Sequence, residues 1–225
     1  MPRRPRVIIP GVAHHVTQRG NNRQQVFFSD ADRRFYLHLL TRHAIRYGTR
    51  ILGYCLMTNH VHLVVLPERE NSLARTFGRA HSEYALARNR AARRTGHLWQ
   101  NRFFSCPLDA GHLENAMRYV ELNPVRAGLT ANSWDWHWSS ARAHTFRRAG
   151  DKVLTGNWAD HFDGWDYARW QGVLLAGMSE GESGAVRRAT ETGQPLASHE
   201  FVKQLERHTG RRLLVLARGR PKKRL

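Results

Sequence analysis

The sequence predicts an α+β fold: an antiparallel sheet built in the order β-α-β-β-α-β, with the helices on one face and a mainly helical C-terminal extension. Three observations carry this prediction. Residues 50–57 and 60–66 are two apolar, β-rich runs separated only by Thr58-Asn59, the signature of an antiparallel hairpin. The segments flanking that hairpin space their apolar residues for helices rather than strands. At 225 residues the chain can bury about 70% of its unfolded surface in one moderate domain, without disulfides.

The elements follow in order. Val12-Ala13-His14-His15-Val16-Thr17 reads as a first strand, followed by the polar loop Gln18-Arg19-Gly20-Asn21-Asn22-Arg23. Ser29-Asp30 caps a helix that carries Phe35, Leu39 and Ile45 inward and stops near Gly48. The hairpin comes next. A second helix runs from about Ser72 to Arg94, burying Leu73, Phe77, Ala80 and Tyr84, and Gly96 ends it. Residues 99–105 make the last strand, which completes the ferredoxin-like arrangement. Asp109 then caps a helix that Pro124 ends or kinks, with Leu113, Ala116, Met117 and Val120 as its packing stripe. Trp134-Asp135-Trp136-His137-Trp138 reads as core closing onto this unit, with base stacking as the alternative. Helical stretches follow around Tyr167 to Leu175, then a Gly/Ser/Glu-rich linker or mobile helix to Thr192, then an amphipathic helix over 198–209. The expected division is a unit over 1–142, an accessory segment and linker over 143–193, and a basic helix and tail over 194–225.

Charge narrows the partners. The chain has 36 Lys+Arg against 18 Asp+Glu, a net of +18, distributed as +12 over residues 1–128, −1 over 129–193 and +7 over 194–225. Two basic blocks around a neutral middle are the footprint of a polyanion-binding surface, so nucleic acid is the expected partner. The two cysteines, Cys55 and Cys106, share no metal-ligand spacing and fit a reduced compartment. Val7-Ile8-Ile9 is too short for a signal peptide or membrane span, so the expected location is cytoplasmic, on the nucleoid. No P-loop or GxGxxG word marks a nucleotide cofactor.

Candidate chemistry lies on two elements. In Asn59-His60-Val61-His62-Leu63-Val64, side chains alternate across a strand, so His60 and His62 share one face about 7 Å apart. Such a pair can chelate one divalent cation with help from elsewhere, or can be two histidines bonded to backbone. On the helix after Asp109, Tyr119 lies off the packing stripe with Asn115 and Asn123 at i−4 and i+4. It reads either as a tyrosine at the core rim or as a nucleophile.

Taken together, these words resemble the single-tyrosine HUH transposases, and within them the REP-associated tyrosine transposases of the IS200-like family. The resembling words are His15-Val16-Thr17 with Arg19-Gly20-Asn21; Met57-Thr58-Asn59-His60-Val61-His62; Leu98-Trp99-Gln100 with Arg102-Phe103; Arg118-Tyr119-Val120-Glu121-Leu122-Asn123-Pro124-Val125; and Trp138-Ser139-Ser140-Ala141. The resemblance implies a metal-dependent endonuclease and strand transferase acting on single-stranded or hairpin DNA. Tyr119 would form a 5′-phosphotyrosine link, and His60, His62 and Asn123 would hold Mg²⁺ or Mn²⁺. Many relatives outside the REP group carry Gln at the position of Asn123.

The chemistry is coherent in itself. A phenol with pKa near 10 needs help to attack phosphate, and a cation on the non-bridging oxygens supplies it. The covalent link conserves the phosphodiester energy, so rejoining needs no nucleotide. DNA contacts are expected from Arg19, Asn21 and Arg23 in the first loop, Arg79 on the second helix and Arg102 on the last strand. Arg218-Gly219-Arg220-Pro221 matches the core of an AT-hook for the minor groove, with nonspecific phosphate binding as the alternative. The protein is expected to act as a monomer or homodimer. Two other classes stay open: a domesticated, non-catalytic hairpin- or repeat-binding protein, and an RNA-binding sheet, although the histidine strand lacks the aromatics that an RNA-binding sheet wants.

Overall fold

A computed structural model describes residues 6–147, 150–161 and 164–213. In chain order the elements are β1 His14–Arg19, α1 Asp30–Tyr47, β2 Thr49–Leu56, β3 His60–Pro67, α2 Ser72–Ala91, β4 Phe104–Pro107, α3 Ala110–Glu121 and α4 Asn123–Arg126. The extension adds α5 Ala141–Thr145, α6 Tyr167–Leu175, α7 Glu180–Thr192 and α8 His199–Thr209. The sheet order is β2-β3-β1-β4, with every pairing antiparallel. This is the β-α-β-β-α-β arrangement expected from the sequence.

Local chemistry sets the ends of the elements. Ser29 and Asp32 form a reciprocal capping box at the start of α1. Gly48, at φ +66°, closes the helix by donating its N–H to the Ala44 carbonyl. The Thr58-Asn59 turn is tight enough for the Met57 N–H to reach the His60 carbonyl at 2.9 Å. Pro124 does not end the late helix: the break falls at Leu122, and Pro124 sits in the first turn of α4, where its missing N–H costs nothing.

Alternation on the two central strands divides the core. Val16, Val61, Leu63 and Val65 pack with Tyr36 and Leu40 of α1 and Leu73 and Phe77 of α2. Val64, Leu66 and Cys106 pack on the other side with Leu113, Met117 and Val120 of α3 and with Trp170 and Val186 of the extension. The two helices of the six-element unit therefore share one face. α3 and the extension cover the opposite face, to which His15, His62 and Val64 belong by parity.

Four expectations need revision. Within α1, Leu39 is buried as expected, but Phe35 is 41% exposed and Ile45 69% exposed. The buried stripe runs instead through Tyr36, Leu37, Leu40 and Ala44. At 100° per residue Ile45 lies opposite Tyr36, so apolar type without the angular sum misassigned it. The last strand begins only at Phe104; Trp99 makes a single bridge to Gly20 and donates its indole N–H to the His81 carbonyl at 3.1 Å. The second helix stops at Ala91, short of Arg94. The linker ending at Thr192 is largely a packed helix, α7, started by a Ser179–Glu182 capping box, with Val186, Ala189 and Thr190 buried.

Trp136 is partly buried, packs against the cluster on the α3 side and donates to the Leu56 carbonyl at 3.0 Å. Nearby, one buried carboxylate ties α3 to the extension. Glu121 is fully buried and accepts from Ser140 Oγ at 2.6 Å, His144 Nδ1 at 2.6 Å and Trp170 Nε1 at 2.8 Å. Ser140 Oγ in turn receives the Tyr54 N–H of β2 at 3.0 Å. Removing the carboxylate leaves several buried donors unmatched, which is costly. Glu121→Ala is expected to lower the urea unfolding free energy by about 3 kcal/mol; a loss below about 1 kcal/mol would show that the cluster does not anchor α3.

Candidate functional site

β3 presents His60 and His62 on the face that α3 covers, with ring centroids 4.9 Å apart. Each ring has one nitrogen already engaged. His60 Nδ1 lies 2.6 Å from Asn59 Oδ1, while Asn59 Nδ2 donates to the Arg23 carbonyl at 2.9 Å. With its amide NH₂ turned to that carbonyl, Asn59 offers only an acceptor, so His60 is protonated at Nδ1 and keeps a lone pair at Nε2. His62 Nδ1 lies 3.0 Å from His15 Nε2, which leaves His62 Nε2 outside that bond.

α3 delivers Tyr119 to the same place. Its ring meets His62 edge-on with centroids 5.4 Å apart and His15 likewise at 5.5 Å. Tyr119 is 5% exposed. Its hydroxyl makes no hydrogen bond among the described residues. The guanidinium of Arg126, on α4, lies 4.5 Å from the ring centroid. Asn123 is buried beneath Tyr119 and turns its amide N–H to the Tyr119 carbonyl at 2.8 Å, so its Oδ1 is the atom left for a ligand.

Electrostatics keep the imidazoles neutral. Burial, with the Arg19 charge adding to it, pulls His60 down to about 4. Burial pulls His15 down to about 3. His62 is held well below the usual histidine value by burial first, then by His60, His15, Arg19 and Arg126. Neutral rings keep the lone pairs that a metal requires. No cluster of three or more His, Cys, Asp or Glu side chains in metal-holding geometry occurs among the described residues. A cation here would therefore rest on two imidazoles with oxygen donors, a mixed nitrogen–oxygen set without thiolate.

The remaining expected residues divide between two places. Arg19 pairs with His60 across β1 and β3. Asn21 and Arg23 lie in the adjoining loop, where Asn22 and Arg23 take left-handed φ of +49° and +59° and Asn59 bridges Arg23 to His60. Arg102 is exposed and lines a groove with Arg6, Gln18, Gly78 and Asn101, against α2. Arg79 is exposed on α2, across the sheet from the imidazoles. It therefore cannot act at the same point as His60. Arg218 and Arg220 lie outside the described residues.

Three neighbours of the site were not anticipated from sequence: His15, Arg126 and, behind His15, Thr190. The doubled His14-His15 in a predicted strand was the available signal for the first. His14 and His15 point to opposite faces, and parity puts His15 with Thr17, whose partner on β3 is His62.

The chain matches the family described as IS200-like transposase over residues 9–123, just over half its length. A Haemophilus influenzae protein assigned as a REP-associated tyrosine transposase is 27% identical over 105 residues. That match covers 42% of this chain and about 60% of the relative's length. Among solved structures, a REP-associated tyrosine transposase bound to a REP hairpin superposes with a TM-score of 0.57 at 18% identity, over 75% of this chain and 96% of that one. The likeness to that structure is one of fold. No helix among the described residues is long and apolar enough to cross a membrane. With a family match that runs from ahead of β1 to Asn123 and takes in both the histidine strand and the tyrosine helix, the chain belongs to the IS200-like transposase family.

Proposed function

We propose that the protein is a metal-dependent single-strand DNA endonuclease and strand transferase that nicks hairpin-associated DNA through Tyr119. The observation that carries this reading is the edge-on placement of Tyr119 against His62, with a 5.4 Å centroid separation, on the face where His60 and His62 both point. In the step proposed, the Tyr119 oxygen attacks the scissile phosphorus and the bond to the 3′ oxygen breaks. The phenol proton is lost to solvent, and the departing 3′ oxygen takes one up. The product is a free 3′-OH and a 5′-phosphotyrosine link, and the reverse attack by a 3′-OH rejoins strands.

His60 Nε2, His62 Nε2 and Asn123 Oδ1 would hold Mg²⁺ or Mn²⁺. When bound, the cation supplies positive charge to the non-bridging phosphate oxygens. This chain's own residues do the rest. Burial keeps the imidazoles unprotonated, α3 holds the phenol in place, and Arg126 adds a fixed positive charge over its ring. Arg19, Asn21 and Arg23 adjoin His60 and would hold the strand entering the site. Arg102 and Arg79, on the α2 side, would hold the hairpin by its phosphates, away from the chemistry. Arg218 and Arg220 would add minor-groove or phosphate contacts to DNA. The hairpin substrate is suggested by the fold relative, whose structure was solved with a REP hairpin.

The test is direct. Incubated with 3′-labelled hairpin DNA carrying a single-stranded flank and with Mn²⁺, the protein should yield a labelled protein–DNA band on a denaturing gel. The band should vanish with EDTA and return with added Mn²⁺. Tight binding without any such band from a panel of hairpins would favour a non-catalytic, domesticated DNA-binding protein.

A further inference from the structure

A chain of three side chains ties the histidine strand to the C-terminal extension. Thr190, buried on α7, donates its hydroxyl proton to the Val186 carbonyl one turn back at 2.8 Å, a common habit of threonine in helices. A hydroxyl has one proton, so toward His15 Nδ1, 2.6 Å away, Thr190 Oγ1 can only accept. That places the proton of the buried, neutral His15 ring on Nδ1 and leaves Nε2 with a lone pair. His15 Nε2 faces His62 Nδ1 at 3.0 Å, with the two rings parallel to within 6°. Two lone pairs do not make such a contact, so His62 donates from Nδ1 and its own lone pair sits on Nε2.

We propose that Thr190 is a positioning residue that fixes, through His15, the tautomer of His62 in which Nε2 is the free donor atom. The inference leans on the proposed function only for its purpose, which is to offer the correct nitrogen to a cation. The hydrogen-bond logic holds without it. Thr190 lies well beyond residues 9–123, the span matched by the family. The extension therefore finishes a site whose other parts come from the sheet and α3. Cys106 Sγ, 3.3 Å from Thr190 Oγ1, is the remaining polar neighbour of that hydroxyl. Its thiol is pushed up to about 12, chiefly by burial, so it stays protonated and can only reinforce Thr190 as acceptor.

The experiment reads the tautomer itself. In the ¹⁵N-labelled full chain, with His62 assigned by difference against His62→Gln, long-range ¹H–¹⁵N spectra should show a protonated Nδ1 and a bare Nε2. Thr190→Val removes the acceptor, so His15 should move its proton to Nε2 and drive the His62 proton from Nδ1 to Nε2. Thr190→Ser keeps the acceptor and should restore the parent pattern. In parallel, Mn²⁺ affinity should fall about tenfold in Thr190→Val and stay unchanged in Thr190→Ser.

A parent spectrum with the His62 proton already on Nε2 would overturn the inference, and so would a Thr190→Val spectrum identical to the parent. His60→Ala separates the two readings. If the parent protein binds no Mn²⁺ that His60→Ala abolishes, the metal reading fails, while the tautomer measurement still decides the role of Thr190.

Discussion

Tyr119→Phe is expected to eliminate the covalent protein–DNA species, lowering strand nicking by at least about a thousandfold. Phe retains the ring that packs edge-on against His15 and His62 and lies under the Arg126 guanidinium. The lost hydroxyl makes no hydrogen bond among the described residues, so no buried partner is left unmatched. Folding stability should therefore stay within about 1 kcal/mol of the parent, and hairpin affinity by fluorescence anisotropy should stay within about twofold. The combination matters, because a variant that folds and binds but does not react isolates the oxygen as the nucleophile. Persistence of the covalent band in Tyr119→Phe would assign the attack to another group and undo the proposed chemistry.

The parts of this site that sequence reveals are those set by local periodicity. The two-residue repeat of a strand places His60 and His62 together, and the four-residue return of a helix places Asn123 beneath Tyr119. The words carrying them are contiguous, so no tertiary knowledge is needed. Joining the two elements took the family resemblance, because nothing local states that α3 crosses the face to which the imidazoles point. His15 depends on the pairing register of β1 with β3, which residue types alone do not specify. Thr190 is harder still: it touches His15 from 175 positions further along the chain, from a segment whose Gly, Ser and Glu content reads as a linker. Arg79 needed the fold in another way: only the sheet shows that it stands on the α2 side, away from the face that the imidazoles use. Glu121 sits in the same word as Tyr119, yet its role as a buried anchor appears only once Ser140, His144 and Trp170 converge on it.

The same burial that keeps the imidazoles neutral should make the fold sensitive to mild acid. Burial pulls His14 down to about 4 and His15 and His81 to about 3, each from an ordinary value of 6.5. As pH falls below 6.5 the unfolded chain takes up protons at these rings, while the folded chain refuses them until pH 4 to 3. Stability is therefore complete above about pH 6.5 and is lost progressively as pH falls toward 4. Each ring contributes about 1.4 kcal/mol per pH unit in that window, so these three alone cost about 6 kcal/mol at pH 5, comparable to the whole stability of many domains, and His60 and His62, held low by the same burial, add to it. The carboxylates held low by their partners, Asp109 among them, act in the same direction only at lower pH, since their ordinary values lie near 4. Urea unfolding at pH 7, 6 and 5 separates the two groups. The unfolding free energy should fall with a slope that steepens to at least about 4 kcal/mol per pH unit by pH 5, equivalent to three protons or more. His81→Gln should lower that slope by about one proton, whatever it costs at neutral pH. A stability that stays level down to pH 5 would mean that the buried rings are charged or solvated, and the neutral donor set proposed at His60 and His62 would lose its physical basis.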